Sequence, residues 1–168
     1  GEELQDCLAA LESISGVDGR IETLHAGDFT VVRDYAHTAD GLDKLLSTLR
    51  PVVKGRLFAL FGAAGDRDAA KRPEMGATVA RYADVLVITS DNPASEEPQS
   101  IIDAVRAGVP EGTICTEFTD RRQAIEYAIS QLKKGDLLAL CGKGHEDYQL
   151  IGTEYVPFDE KQIVYEIL

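Results

Sequence analysis

Apolar residues along this chain recur with two periods, and the periods alternate. Leu4, Leu8, Leu11 and Ile14 fall at helical spacing, which predicts an amphipathic helix over 3–14 broken by Gly16 and Gly19. Residues 21–24 and 29–32 predict a short strand and then a longer one. Thr38 or Asp40 can cap a helix that runs to Leu49, with Pro51 just past its end. Three runs, 57–61, 85–89 and 137–140, are apolar throughout or nearly so, the pattern of strands covered on both faces. Helical periodicity fills the stretches 73–82, 97–107 and 120–133. Pro98 suits the first turn of the second, Asp120 caps the third, and Gly135 stops it. Residues 113–115 predict a short strand, 155–156 an extended piece and 159–168 a closing helix.

Strands alternating with helices predict an α/β fold: a Rossmann-like open, mostly parallel sheet with helices on both faces. Ligands of such sheets lie beyond the carboxyl ends of the strands. Polar clusters that directly follow a strand are therefore the candidate sites.

Composition narrows the classes. A chain of 168 residues, 44% hydrophobic, is one domain with a sizeable core. A net charge of −12 lacks the basic footprint of a nucleic-acid binder and disfavours anionic membranes. It tolerates a basic ligand or a Mg²⁺–nucleotide complex. Cys7, Cys115 and Cys141 are far apart and in no metal-ligand spacing, so thiols in a reducing cytoplasm are expected. No apolar run reaches the roughly 20 residues of a membrane span, and the start has no signal-peptide character. A cytoplasmic monomer is expected, and from the missing initial Met an excised piece of a longer chain is expected.

Four clusters follow strands. Asp34-Tyr35-Ala36-His37-Thr38 groups an acid, a phenol and an imidazole, suited to a ribose, a metal-bound water or a base; the alternative is a helix-capping turn. Gly62-Ala63-Ala64-Gly65-Asp66-Arg67-Asp68, with Lys71 and Arg72 behind it, lets backbone approach a ligand. Arg67, between two aspartates, can be held rigid and aimed at a carboxylate; the alternative is a surface ion-pair cluster. Asp91-Asn92-Pro93-Ala94-Ser95 reads as an ordinary turn apart from its position. In Gly142-Lys143-Gly144-His145-Glu146-Asp147-Tyr148-Gln149, Glu146 can receive an ammonium, while Lys143 and His145 can meet an anion. The chain contains neither a dinucleotide fingerprint nor a P-loop.

Taken in order, these motifs resemble the Mur ligase family, in its branch that adds a diamino acid to the peptidoglycan precursor. Gly19-Arg20, the 34–40 cluster, Gly62 through Arg72 with Pro73, Met75 and Gly76, Asp91-Asn92-Pro93 and the 142–149 run carry the likeness over about residues 17–168. The resemblance implies that 19–168 form the carboxy-terminal domain, with 1–18 the end of a central domain or a linker. The central domain would hold the P-loop and most contacts to ATP and Mg²⁺, so no metal site is expected here. The implied reaction converts the carboxylate of UDP-N-acetylmuramyl-dipeptide into an acyl phosphate, which the diamino acid's α-amine attacks. By position, Arg67, Asp91, Asn92, Pro93, Ala94, Gly142 and Glu146 resemble the amino-acid site. Arg20, Asp34, Tyr35 and His37 resemble the ATP side.

Members using meso-diaminopimelate typically read Asp-Asn-Pro-Arg, the arginine pairing with the distal carboxylate. Ala94 stands in that place, and a buried carboxylate without a cation is costly. This favours L-lysine or a relative such as ornithine, with meso-diaminopimelate the alternative that the Gly142–Asp147 run supports. Two further readings remain: another amide ligase of the superfamily, such as folylpolyglutamate synthetase, and a non-catalytic Rossmann-like binding module. A P-loop upstream would decide for a ligase.

Overall fold

The computed structural model describes residues 16–168. The helix expected at 3–14, and Cys7, lie outside the described residues. Strands β1 (Glu22–Ala26), β2 (Thr30–Asp34), β3 (Leu57–Phe61), β4 (Val85–Thr89), β5 (Cys115–Phe118) and β6 (Leu137–Cys141) form one sheet. Their spatial order is β1-β2-β6-β3-β4-β5. Only the edge pair β1–β2 is antiparallel; the other neighbours run parallel.

Alternate side chains of the inner strands enter two separate cores. Val32, Leu57, Ala59, Phe61, Leu86, Ile88 and Ala139 pack on one face. They meet the buried sides of helices α1 (Ala39–Leu49), α2 (Arg72–Ala80) and α3 (Pro98–Arg106). Val31, Phe58, Leu60, Val85, Val87, Leu138 and Leu140 pack on the other, under α4 (Arg121–Ser130) and α5 (Glu160–Ile167). Burial on both faces is why these strands read as continuous apolar runs rather than as alternation. The sheet, its mostly parallel sense and the helices on both faces match the expectation.

Local chemistry sets the element ends. Thr38 caps α1, its hydroxyl accepting from the Gly41 amide at 3.1 Å. Asp120 caps α4 through the amides of Arg122 and Gln123. That helix ends at Ser130, short of the expected 133, because the Lys133 amide donates to the Asp136 carboxylate (2.9 Å). Strand β5 starts at Cys115 instead of 113; it is a half-exposed edge strand, so its apolar pattern is weak. Tyr148–Ile151 (β7) and Glu154–Pro157 (β8) form an antiparallel hairpin where only an extended piece at 155–156 was expected. No described helix is long and apolar enough to cross a membrane.

The parallel register aligns the strand ends. Asp34 stands opposite Cys141, Leu60 opposite Leu140, and Phe61 opposite Ile88. The segments beginning at Tyr35, Gly62, Ser90 and Gly142 therefore emerge along one edge of the sheet.

Candidate functional site

A cavity of about 420 Å³ opens at this edge, lined in part by Tyr35, His37, Arg67, Lys71, Asp91, Asn92, Gly142 and Glu146. Its walls are backbone segments in unusually close approach. The Gly65 amide donates to the Asn92 carbonyl at 2.8 Å. A Cβ at Gly65 would sit 1.8 Å from the Pro93 carbonyl oxygen, so only glycine fits. Gly142 has φ 114°, and a Cβ there would lie 2.8 Å from Asp91 Oδ2.

The floor is a buried polar cluster. Lys143 is wholly buried. Its Nζ donates to Asn92 Oδ1 at 2.6 Å and to Glu146 Oε2 at 3.4 Å. It also lies 3.1 Å from Asp91 Oδ1, as an ion pair without hydrogen-bond alignment. Asn92 Oδ1 accepts from the Leu150 amide (3.0 Å), and Asn92 Nδ2 donates to Glu146 Oε2 (3.1 Å). The Tyr35 hydroxyl donates to Glu146 Oε1 at 3.2 Å. Burial first, and the Glu146 carboxylate second, raise the Tyr35 phenol above its ordinary value, so it stays a donor.

The rim carries the accessible charges. Arg67 is exposed and makes no hydrogen bond or ion pair among the described residues. Lys71 is also exposed, 3.7 Å from Asp68. Arg72, by contrast, is buried and grips Glu96 with two hydrogen bonds of 2.8 and 2.7 Å. Arg20 lies over the Tyr35 ring, 4.7 Å from its centroid.

Seven of the eleven expected site residues line the one cavity: Arg67, Asp91, Asn92, Gly142, Glu146, Tyr35 and His37. Pro93, Ala94, Arg20 and Asp34 do not. Pro93 is buried beneath Gly65. Ala94 has φ 51° and is tied to the hairpin, its amide donating to Leu150 O (2.9 Å) and its carbonyl accepting from Gly152 N (2.7 Å).

Three readings need correction. Asp34 is not presented to the cavity: its carboxylate accepts from the Ala36 and Ile21 amides, both at 2.8 Å, and so pins the turn that carries Arg20. The two aspartates do not clamp Arg67, since Asp66 accepts from Ser95 and Asp68 caps the 3₁₀ turn Ala69–Lys71. Lys143 is not free to meet an anion, because carboxylates and an amide oxygen already surround it.

Sequence reasoning also missed a pair behind the strand ends. Arg121 and Glu160 are wholly buried and joined at 2.8 Å. Arg121 donates further to the carbonyls of Ser90 (3.1 Å) and Cys141 (2.8 Å), the residues just before Asp91 and Gly142. Burial opposes its charge, but Glu160 and Asp91 outweigh that and raise its pKa. Thirty-nine residues separate the partners, and no local motif signals them. A larger groove of about 790 Å³ lies between α4, α5 and the hairpin. Asp147 and Gln149 from the end of the fourth cluster reach it, but none of the eleven expected site residues does, so volume alone does not make it the site.

The profile of the Mur ligase, glutamate ligase domain matches residues 19–144. A UDP-N-acetylmuramoyl-L-alanyl-D-glutamate–2,6-diaminopimelate ligase from Gloeobacter violaceus is 46% identical over the whole chain, which covers 35% of that protein. The ligase of the same name from Thermosynechococcus vestitus is 50% identical, with 96% of this chain and 33% of that one covered. A solved structure of a ligase so named superposes with a TM-score of 0.85 at 36% identity, covering 99% of this chain and 34% of that one. E. coli FolC in complex with ADP shares the fold alone: TM-score 0.66, 18% identity, 86% of this chain and 33% of that one covered. The chain thus spans about a third of the length of its relatives. With the strand-end motifs gathered at one cavity and the profile spanning most of the sequence, the chain belongs to the Mur ligase family, whose members are ATP-dependent ligases.

Proposed function

We propose that this chain is the amino-acid-binding, carboxy-terminal domain of a ligase that adds a diamino acid to UDP-N-acetylmuramoyl-L-alanyl-D-glutamate in peptidoglycan synthesis. One observation carries the reading: Arg67 and Glu146 line the same cavity with opposite charges. A guanidinium without a hydrogen-bond or ion-pair partner among the described residues suits the substrate's α-carboxylate. A carboxylate at the other end suits a distal ammonium. Held at both ends, the α-amine is positioned to attack the activated carboxyl group.

The substrate assigned first is meso-diaminopimelate, because the relatives at 46% and 50% identity are named for it. This reverses the preference for L-lysine drawn from Ala94. Lys71, an exposed cation lining the same cavity, offers a distal carboxylate the charge that Ala94 does not. L-lysine stays the second reading, because alanine at 94 is too short to offer any partner of its own.

ATP supplies the phosphoryl group that turns the precursor's carboxylate into an acyl phosphate. Arg20 fits a phosphate: it is exposed and rests on the Tyr35 face. In this reading Mg²⁺ enters with ATP and is held mainly by the central domain. Residues 1–18 are the end of that domain or a linker, and 19–168 close over the nucleotide.

The test is ligation by the full-length enzyme with UDP-N-acetylmuramyl-dipeptide, ATP and a panel of meso-diaminopimelate, L-lysine, L-ornithine and L-alanine. The highest kcat/KM is expected with meso-diaminopimelate. A preference for L-lysine would establish the second reading, and no preference for diamino acids over L-alanine would end both.

A further inference from the structure

Lys143 is an unusual residue for a pocket floor. An ammonium has three donors and no acceptor. Here three oxygens surround it: Asn92 Oδ1 at 2.6 Å, Asp91 Oδ1 at 3.1 Å and Glu146 Oε2 at 3.4 Å. Its side chain is wholly buried, so the ammonium is not presented to a substrate carboxylate. A charge removed from water this completely persists only when paired, and here it is paired twice.

Two consequences follow for the neighbours. Asn92 Oδ1 accepts from both Lys143 and the Leu150 amide, which turns Asn92 Nδ2 toward Glu146. Glu146 then receives Asn92 and Lys143 on Oε2 and Tyr35 on Oε1. A carboxylate offers about four lone-pair sites; one on Oε1 remains for a ligand. The charges are also matched. Two carboxylates, Asp91 and Glu146, face one ammonium, which leaves one uncompensated negative charge.

We propose that Lys143 is a positioning residue for the amino-acid substrate: its buried ammonium orients Asn92 and Glu146 and sets the floor at one net negative charge, matched to a single distal ammonium. This rests on the diamino-acid reading above. Without Lys143, the two carboxylates repel each other and Asn92 loses its orientation. Without Asp91, the floor becomes neutral, and Glu146 is satisfied by Lys143 alone. Removing both restores the single negative charge.

The experiment uses the full-length ligase and its preferred diamino acid, paired with the analogue whose distal amine is replaced by hydrogen. The wild type should favour the diamino acid by roughly tenfold or more in kcat/KM, as expected for a hydrogen bond between charged groups. In Lys143→Met the KM for the diamino acid should rise by about that factor, with the KM for ATP unchanged and the preference over the analogue lost. Lys143→Met/Asp91→Asn should regain much of the preference. A merely structural lysine would lower Tm and kcat for both amino substrates and leave their ratio alone, which would overturn the proposal. Should Lys143→Met fail to fold, the isosteric Asp91→Asn decides, since it should by itself erase the preference, and a retained preference overturns the proposal. A wild type without any preference would instead bring down the diamino-acid reading itself.

Discussion

The pair behind the strand ends makes a quantitative prediction. Arg121 and Glu160 are both fully inaccessible to solvent. Glu160→Met would leave the guanidinium buried with two carbonyl acceptors and only the more distant Asp91 charge, and breaking such a pair from one side costs about 3–5 kcal/mol. For a chain of this size each kcal/mol lowers Tm by roughly 2–4 °C, so a drop of about 10 °C is expected. Arg121→Met should cost at least as much. It strands the Glu160 carboxylate, whose Oε2 already lacks a partner, and it orphans the carbonyls of Ser90 and Cys141. Each orphaned carbonyl adds about 1–3 kcal/mol. The double variant Arg121→Met/Glu160→Met removes both charges together and should be no less stable than Arg121→Met alone. Urea unfolding of the four proteins, with the slope checked for constancy, gives the cycle. A cost below about 1 kcal/mol for Glu160→Met, well under the expected range, would refute the reasoning, as would strictly additive costs.

Other outcomes follow from the site. Arg67→Ala should raise the KM for the amino acid roughly tenfold while leaving ATP binding alone; equal losses in both would remove its assigned role. Ala94→Arg should raise kcat/KM for meso-diaminopimelate relative to L-lysine, and an unchanged ratio would detach position 94 from substrate choice. Acid should destabilise the chain in a defined window. Burial tends to raise the Glu22 carboxyl, but Lys161, the Gly19 amide and Arg33 outweigh it and lower its pKa to about 2; Arg72 and then the Asp66 amide lower Glu96 to about 2. Both shifts are downward from 4.5, so their stabilisation is complete above 4.5 and lost as pH falls toward 2. A Tm that stays flat through that window would contradict these ion pairs.

The sequence made the inner sheet legible because two-sided burial leaves a plain mark. Leu57–Phe61 and Val85–Thr89 were placed to the residue, and 137–140 fell one residue short. Edge elements carry weaker marks. Cys115–Phe118 is half-exposed, and Tyr148–Ile151 begins within the last two residues of a polar motif that reads as a loop. The site was legible as a set of strand-end motifs, but the partners of each charge were not. A buried lysine and an exposed one are the same letter, so Lys143 passed for an anion binder. Asp34 looked like a ligand contact because nothing in one dimension tells a carboxylate facing solvent from one turned onto its neighbours' amides. Arg121 and Glu160 meet only after the chain has crossed the sheet and returned.

The near-contact of Gly65 with Pro93 reaches beyond packing. Two segments that touch through bare main chain leave evolution no room to widen or narrow the gap between them by exchanging side chains. Descendants of this scaffold that switch cargo must do so with groups projecting from a fixed frame, much as a lock is rekeyed by changing its pins and not its barrel.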